Sequence, residues 1–181
     1  MVFGRPKLPP TRNGASVRSV DDSAAKGIKG YIKSIVLEDP SNTVPGWVVV
    51  LADSLWGAHQ AADLVKVDWT AGPGADLTDQ WLIERGRELV AAEKTGIVLD
   101  ISDDGAPPLN PHDFLEAEYA TAAVLHFQLE PLNALAFEKD GVFEIHTGNQ
   151  WQSLILPTLA KALDRPQESI VMRTYLLGGG F

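Results

Sequence analysis

Polar and glycine residues gather in three short segments of the second half of the chain: LHFQLEP (residues 125–131), HTGNQWQ (residues 146–152) and LLGGGF (residues 176–181). Each segment lies where a predicted strand ends, which is a common position for ligand-binding residues. Glycines permit positive φ and let backbone N–H groups approach an oxyanion or a metal oxo group. The side-chain amide of Gln150 can donate a hydrogen bond to such an oxygen without adding charge. The three segments are therefore candidate parts of a ligand site.

Each of these segments also has a purely structural interpretation. The three glycines can form a turn, Gln150 can be an amide at a helix N-terminus, and Phe181 can be a ring in a hydrophobic core. Residue types alone leave the structural and the functional interpretations open.

The other residues capable of catalysis or metal binding lack a productive spacing. His126 and Glu130 are four residues apart, but Pro131 follows at once, so a helical metal site is not expected there. The chain has no Gly-x-Ser-x-Gly motif. It has no cysteine, which excludes disulfides, thiolate metal sites and iron–sulfur ligation by this chain. The four histidines show no ligand spacing: His59, His112, His126 and His146.

Composition limits the class of partner. A length of 181 residues suits one large domain or two small ones. The formal net charge of −9, with the basic residues dispersed along the chain, argues against binding to nucleic acid. The longest apolar stretch, residues 44–52, is much shorter than the roughly 20 residues of a membrane-spanning helix, so no membrane span is expected.

Apolar periodicity and capping residues predict a mixed set of elements in the first half of the chain. Ser54 is the predicted N-cap of a helix that buries Leu55, Ala58, Ala61, Ala62 and Val65 on one face. Trp47, Trp56 and Trp69 are predicted to pack in the core. The predicted elements, in order, are an extended segment (1–12), a short helix (19–30), strands (31–39 and 47–53, the latter central), a helix (55–65), a strand (66–70), and a helix from Thr78 to Gly96.

The second half is predicted to begin with a linker at residues 103–113, near a domain boundary. A hairpin around Lys139, Asp140 and Gly141 is the clearest element. Pro157 either kinks the following helix or marks a later start for it. The predicted elements after the linker are a strand (116–127), the hairpin (133–147), a helix (151–165) and a strand (169–177). The expected fold class is α+β.

Six stretches carry a resemblance that covers nearly the whole chain: VRSVDDSAAKGIKGYIKSIV, VVVLADSLWGAHQAADLVKVDW, LHFQLEPLNALAF, GNQWQ, LAKAL and LLGGGF. In order and approximate spacing they resemble the molybdenum-binding large subunit of the xanthine dehydrogenase/aldehyde oxidase family, and in particular its bacterial branch typified by the isoquinoline 1-oxidoreductase β subunit. The resemblance implies a hammerhead-like α/β domain at residues 1–105. It implies the opening strands and helix of a truncated first molybdopterin-binding domain at residues 106–181.

The resemblance also implies an activity and its cofactor. Enzymes of this family hydroxylate a carbon next to nitrogen in small heteroaromatic compounds, or oxidise aldehydes, with water as the source of oxygen. The implied cofactor is molybdenum on molybdopterin, in its cytosine dinucleotide form. The implied electron acceptor is a partner subunit with 2Fe-2S clusters. Family members are often periplasmic, and the sequence leaves a periplasmic or a cytoplasmic location open.

Individual positions match the family motifs. Gln150 matches the glutamine that hydrogen-bonds the molybdenum oxo group. Gly179, Gly180 and Phe181 match the glycine–phenylalanine loop that packs against the metal centre. Three further positions match the strand exit beside the pocket or substrate channel: His126, Phe127 and Glu130.

The chain departs from the family pattern in three ways. The family loop continues with another glycine, the glutamate that activates the metal-bound hydroxyl lies far downstream in the family, and most contacts to the pterin dinucleotide are missing. No catalytic residue and no direct metal ligand is therefore assigned within these 181 residues. The expectation is a fragment that is inactive and free of cofactor by itself and depends on the remaining C-terminal part of the same subunit.

The sequence also leaves two other functions open. One is a non-catalytic α/β module that binds a protein partner through its acidic surface or apolar end. The other is a small-molecule enzyme acting alone, and the absence of a nucleophile–base pair or metal constellation counts against it.

Overall fold

The computed structural model describes residues 1–39, 42, 44–92, 96, 97, 110, 112, 115, 117–122 and 128–179. The chain forms two compact units, one made of Met1–Ala75 with His126–Phe181 and the other of Asp76–Leu125. The predicted domain boundary at residues 105 and 106 lies outside the described residues and stays a prediction. Helices and strands are mixed along the chain, so the predicted α+β class is confirmed.

The first sheet is antiparallel and has the strand order β1-β4-β3. Its strands are β1 (Phe3–Lys7), β3 (Tyr31–Val36) and β4 (Val48–Ala52). β4 is central, as its almost wholly apolar sequence predicted, and Val48 and Val50 are fully buried. The extended segment predicted at the N-terminus is the edge strand β1, where Pro6 removes no hydrogen bond from the sheet interior.

The second sheet is a two-stranded antiparallel ribbon of β2 (Ser16–Asp21) and β5 (Lys66–Thr70). The helix predicted over residues 19–30 is wrong, because only a single 3₁₀ turn, Ala24–Gly27, forms there. Val17 and Val20 pair instead with Trp69 and Val67 of β5. Backbone pairing across the ribbon and burial of Val20 beside the core therefore override the local helix signal.

Helix α1 (Leu55–Leu64) packs its small residues against the first sheet. Ser54 caps it as predicted, and its Oγ accepts a hydrogen bond from the Gly57 N–H at 3.1 Å. The alanine side chains let the helix backbone approach β4 closely, and the Lys7 ammonium of β1 donates to the Ala62 carbonyl at 2.6 Å. The core cluster consists of Ala25, Val50, Ala61, Ala62 and Val65.

The three tryptophans do not share one environment. Trp47 and Trp69 are half-buried, and the Trp69 indole N–H donates to the Gly46 carbonyl at 2.8 Å. Trp56 is 72% exposed, so its predicted place in the core is wrong. Leu55, predicted on the buried face of α1, is also 57% exposed, because the helix turns Gly57 and the alanines toward the sheet.

The second unit contains helix α2 (Asp79–Ala91). Thr78 caps it as predicted, accepting from the Trp81 N–H at 3.1 Å, but the helix ends at Ala91 and not at Gly96. The strand predicted over 116–127 is absent from the described residues 117–122. Its remaining positions lie outside the described residues, as does the predicted linker 103–113 apart from residues 110 and 112.

The third sheet has the order β6-β7-β8, with β6 (Ala134–Lys139), β7 (Val142–Gly148) and β8 (Ile170–Tyr175). The predicted hairpin is confirmed: Asp140 and Gly141 both have positive φ, 52° and 78°, as a tight two-residue turn requires. β8 pairs with β7 in parallel, and helix α3 (Gln152–Ala162) makes the crossover between them. α3 begins at Gln152 and continues through Pro157, so the late start is excluded.

No helix in the described part of the chain combines the length and the apolar character that crossing a membrane requires.

Replacing Ser54 by Ala removes the acceptor of the Gly57 N–H and is expected to lower the free energy of unfolding by about 1 kcal/mol. Urea unfolding followed by tryptophan fluorescence measures the change. Ser19→Ala is the matched control, because Ser19 is exposed in β2 and caps no helix. An equal loss in both variants would contradict the capping role.

Candidate functional site

The three segments singled out in the sequence meet at one edge of the third sheet. Because β7 and β8 are parallel, their carboxyl ends, Gly148 and Tyr175, lie side by side. β6 is antiparallel to β7, so its first residue, Ala134, is opposite Thr147 at the same edge. The residues before β6, after β7 and after β8 are therefore neighbours in space.

Side-chain hydrogen bonds tie the turn before β6 to this edge. The Glu130 carboxylate accepts from the Gly178 N–H at 2.8 Å through Oε2 and from Asn133 Nδ2 at 3.3 Å through Oε1. The Asn133 amide also donates to the Pro131 carbonyl at 3.0 Å. The Thr147 hydroxyl donates to the Asn133 carbonyl at 2.8 Å. One continuous hydrogen-bond network thus connects the turn, strand β7 and the segment after β8, residues 176–179, which we call the glycine tail.

The glycines at this edge are required by close packing. A Cβ at Gly178 would lie 2.6 Å from Glu130 Oε2, and one at Gly148 would lie 2.7 Å from Leu177 Cδ2. Gly179 has φ of +135° and would place a Cβ 3.2 Å from Gln128. Residues 130–133 and 177–179 enclose with Gly148 a cavity of about 10 Å³, which is the size of one water molecule.

Gln150 lies exposed between the end of β7 and the start of α3. No group in the described part of the chain binds its side-chain amide. The adjacent Asn149 donates through Nδ2 to Met172 Sδ at 3.2 Å, and its buried Oδ1 has no hydrogen-bond partner among the described residues. Among the described residues, this edge therefore has one amide without a partner and one unsatisfied amide oxygen, in consecutive residues.

Three of the seven predicted site residues are described: Gln150, Gly179 and Glu130, and all three lie at this edge. The other four lie outside the described residues: His126, Phe127, Gly180 and Phe181. The part of the chain that the structure describes contains no cluster of three or more metal-ligating side chains. The roles of the predicted residues stay predictions.

A polar row on one face of the third sheet was not predicted. Arg173 Nε donates to Glu144 Oε2 at 2.8 Å, and His146 Nδ1 lies 2.9 Å from the Tyr175 hydroxyl. The His146 ring stacks between Phe137 and Tyr175, with centroid distances of 5.4 and 5.8 Å. In each strand the two polar residues are two positions apart, which places them on the same face of the sheet. The sequence does not show that the two strands are paired, so the row is apparent only from the parallel register, which sets His146 opposite Arg173.

Charges within this row shift the pKa values of its ion pair. The hydrogen bond from Arg173 and its positive charge hold the pKa of Glu144 below the ordinary value of 4.5, against the opposing effect of desolvation. The same contact raises the pKa of Arg173. His146 Nε2 lies 3.3 Å from Glu144 Oε2 but is not hydrogen-bonded to it, so that contact is an ion pair only when the imidazole is protonated.

The contact between Gly148 and Leu177 predicts a non-additive pair of mutations. Gly148→Ala is expected to lower the free energy of unfolding by about 1 kcal/mol, because the new methyl group displaces Leu177 from the sheet edge. Leu177→Ala should relieve the contact, giving a coupling of about 1 kcal/mol in a double-mutant cycle measured by urea unfolding. Strictly additive effects would contradict the close packing of these two residues.

The Glu144–Arg173 pair predicts a dependence of stability on pH. Because the pKa of Glu144 is lowered on folding, the ionised carboxylate stabilises the folded chain above about pH 4.5 and loses this contribution as the pH falls through the lowered pKa. Glu144→Gln should therefore be less stable than the wild type at about pH 7, and the difference should be smaller at an acidic pH below 4.5. Urea unfolding at both pH values tests this, with the exposed Glu168→Gln as control.

The comparisons with known proteins agree on one family. The molybdopterin cofactor-binding domain family matches residues 100–181. The membrane-bound aldehyde dehydrogenase (pyrroloquinoline-quinone) of Gluconacetobacter polyoxogenes is 55% identical over 183 residues, an alignment that covers 100% of this chain and 24% of that protein. The chain thus spans about a quarter of the length of this curated relative.

Solved structures share the fold. The aldehyde oxidoreductase of Desulfovibrio gigas matches 97% of this chain and 23% of its own, with a TM-score of 0.57 and 18% identity. CO dehydrogenase of Oligotropha carboxidovorans matches 99% of this chain and 28% of its own, with a TM-score of 0.52 and 13% identity. The family resemblance drawn from the sequence is confirmed. Residues 100–181 belong to the molybdopterin cofactor-binding domain family, and the whole chain is similar to part of a curated aldehyde dehydrogenase.

Proposed function

We propose that this chain is the N-terminal part of a molybdenum hydroxylase large subunit that oxidises aldehydes or hydroxylates small N-heteroaromatic compounds, with water as the oxygen source. The observation that carries the proposal is the meeting of Glu130, Gln150 and the glycine tail at the carboxyl edge of β7 and β8. These residues come from three separate segments, and each matches a family motif.

The described residues of this edge suit the oxo face of a molybdenum cofactor. Gly179 has no side chain to shield its backbone, and the Gln150 amide, which can donate, is exposed. An oxo ligand accepts hydrogen bonds from neutral donors, which amides and backbone N–H groups supply. When bound, the cofactor supplies a metal centre that accepts the electron pair removed from the substrate.

In this proposal Gln150 donates a hydrogen bond from its side-chain amide to an oxygen ligand of the cofactor. Gly179 and Gly180 present their backbone to the same group, and Phe181 packs beside it. His126 and Phe127 line the approach to the pocket. None of these residues is assigned a proton-transfer step, because the activating glutamate of the family has no counterpart in this chain.

Molybdopterin is preferred here over pyrroloquinoline quinone, which the name of the Gluconacetobacter relative mentions. The support for molybdopterin is the match of residues 100–181 to the molybdopterin cofactor-binding domain family. The cytosine dinucleotide form of the cofactor is proposed on the family resemblance alone.

The electrons must leave through another polypeptide or domain. The chain has no cysteine and cannot ligate an iron–sulfur cluster. On the family resemblance, we place the 2Fe-2S clusters on a partner subunit. The base that activates the metal-bound hydroxyl comes from the remaining part of the same subunit.

Metal analysis and turnover of the complete subunit, purified with its iron–sulfur partner, test this function. We expect stoichiometric molybdenum and aldehyde-dependent reduction of an artificial acceptor. Gln150→Ala should retain molybdenum and lower kcat by about 10²-fold, the usual loss on removing one oxyanion donor. Gln167→Ala is the matched control, because Gln167 is exposed in the 3₁₀ turn Gln167–Ser169, before β8.

Two outcomes of these measurements would contradict the proposal. A complete subunit that contains pyrroloquinoline quinone and no molybdenum would overturn the proposed cofactor. A subunit without either cofactor and without turnover would favour the non-catalytic interaction module.

A further inference from the structure

The glycine tail after β8 is held by a contact with the turn before β6. The β7–β8 ladder ends at the pair Gly148 and Tyr175. Beyond it, the hydrogen bond described for residues 176–179 runs from the Gly178 N–H to Glu130 Oε2, at 2.8 Å and across 48 residues of sequence. A carboxylate acceptor makes such a bond stronger than a neutral one would.

Packing on both sides fixes the tail in the same place. A Cβ at Gly178 would contact the Glu130 Cβ and Oε2, so residue 178 lies directly against the Glu130 side chain. On the other side, Leu177 Cδ2 fills the position that a Cβ at Gly148 would take. Residues 177 and 178 are thus clamped between β7 and the turn that carries Glu130.

Glu130 is itself held in place from two directions. Asn133 donates to its Oε1 at 3.3 Å, and the Asn133 carbonyl accepts from the Thr147 hydroxyl of β7 at 2.8 Å. The carboxylate therefore has one oxygen directed to the turn and the other to the tail. Each of its oxygens thus accepts a hydrogen bond from a donor of the protein.

We propose that Glu130 is a positioning residue: its carboxylate fixes the Gly178 backbone so that Gly179 presents its N–H group to the cofactor beside Gln150. The role of this sheet edge in binding a cofactor rests on the proposed function, whereas the contact between Glu130 and Gly178 does not. Of the two roles that the sequence left open for Glu130, the contact favours the supporting one beside the pocket over the one in the substrate channel. The property that matters is an acceptor oxygen at this position.

Hydrogen–deuterium exchange on the complete subunit tests the contact without reference to the cofactor. Glu130→Ala is expected to speed exchange in residues 176–179 about tenfold, while exchange in β7 stays unchanged. Glu130→Gln should stay within about threefold of the wild type, because its Oε1 can still accept the Gly178 N–H. Glu168→Ala is the control, since Glu168 is exposed in the 3₁₀ turn Gln167–Ser169 and has no described hydrogen bond to residues 176–179.

Steady-state kinetics and molybdenum content of the same variants test the consequence. Glu130→Ala should lower kcat about tenfold with little change in KM, and Glu130→Gln should restore most of the loss. A purely structural effect would reduce molybdenum content and folded protein together, and would not depend on an acceptor at residue 130.

Several outcomes would overturn the inference. Exchange in residues 176–179 of Glu130→Ala that stays within about twofold of the wild type would do so, as would Glu130→Gln behaving like Glu130→Ala. If Glu130→Ala loses protection in β7 as well, Gly178→Ala decides, because its methyl group pushes the carboxylate away without removing it. Unchanged exchange in Gly178→Ala would then reject the contact. Absence of molybdenum from the wild type rejects the proposed function and leaves the exchange result standing.

Discussion

The parallel pairing of β7 with β8 is the constraint on which the candidate site depends. Parallel strands place both carboxyl ends at one edge of a sheet, and they need a crossover, which α3 supplies. The tight turn at Asp140 and Gly141 makes β6 antiparallel to β7, so the start of β6 lies at that same edge. Three segments separated by up to about fifty residues of sequence are thereby brought within hydrogen-bonding distance.

Close backbone approach recurs in both halves of the larger unit. In the first sheet the alanines of α1 let the helix lie directly on β4, and the fully buried core is built from valine and alanine. At the site edge, glycines let the tail lie on the Glu130 side chain and let Leu177 lie on β7. In both cases small residues are needed because neighbouring atoms fill the space that a larger side chain would take.

Charge is distributed differently at the edge and on the sheet face. The edge has the exposed amide of Gln150, backbone N–H groups and the Glu130 carboxylate, whose charge is not neutralised by its two neutral donors among the described residues. The sheet face has the Glu144–Arg173 pair, which lowers the pKa of the carboxyl and keeps it ionised under neutral conditions. The edge therefore has a carboxylate held by neutral donors, whereas the sheet face has a carboxylate paired with a cation.

The sequence by itself determined the elements whose signals are local. The Ser54 and Thr78 caps, the central strand β4 and the turn at Asp140 and Gly141 follow from side-chain chemistry within a few residues, and all four are confirmed. The motifs around Gln150 and the glycine tail identified the family. Only the tertiary structure decided that residues 16–21 form a strand, since their partner β5 lies about fifty residues away. The exposure of Trp56 was likewise decided by the tertiary structure. It alone decided that Glu130 bonds Gly178, because no spacing in the sequence encodes the parallel register that brings two distant strand ends together.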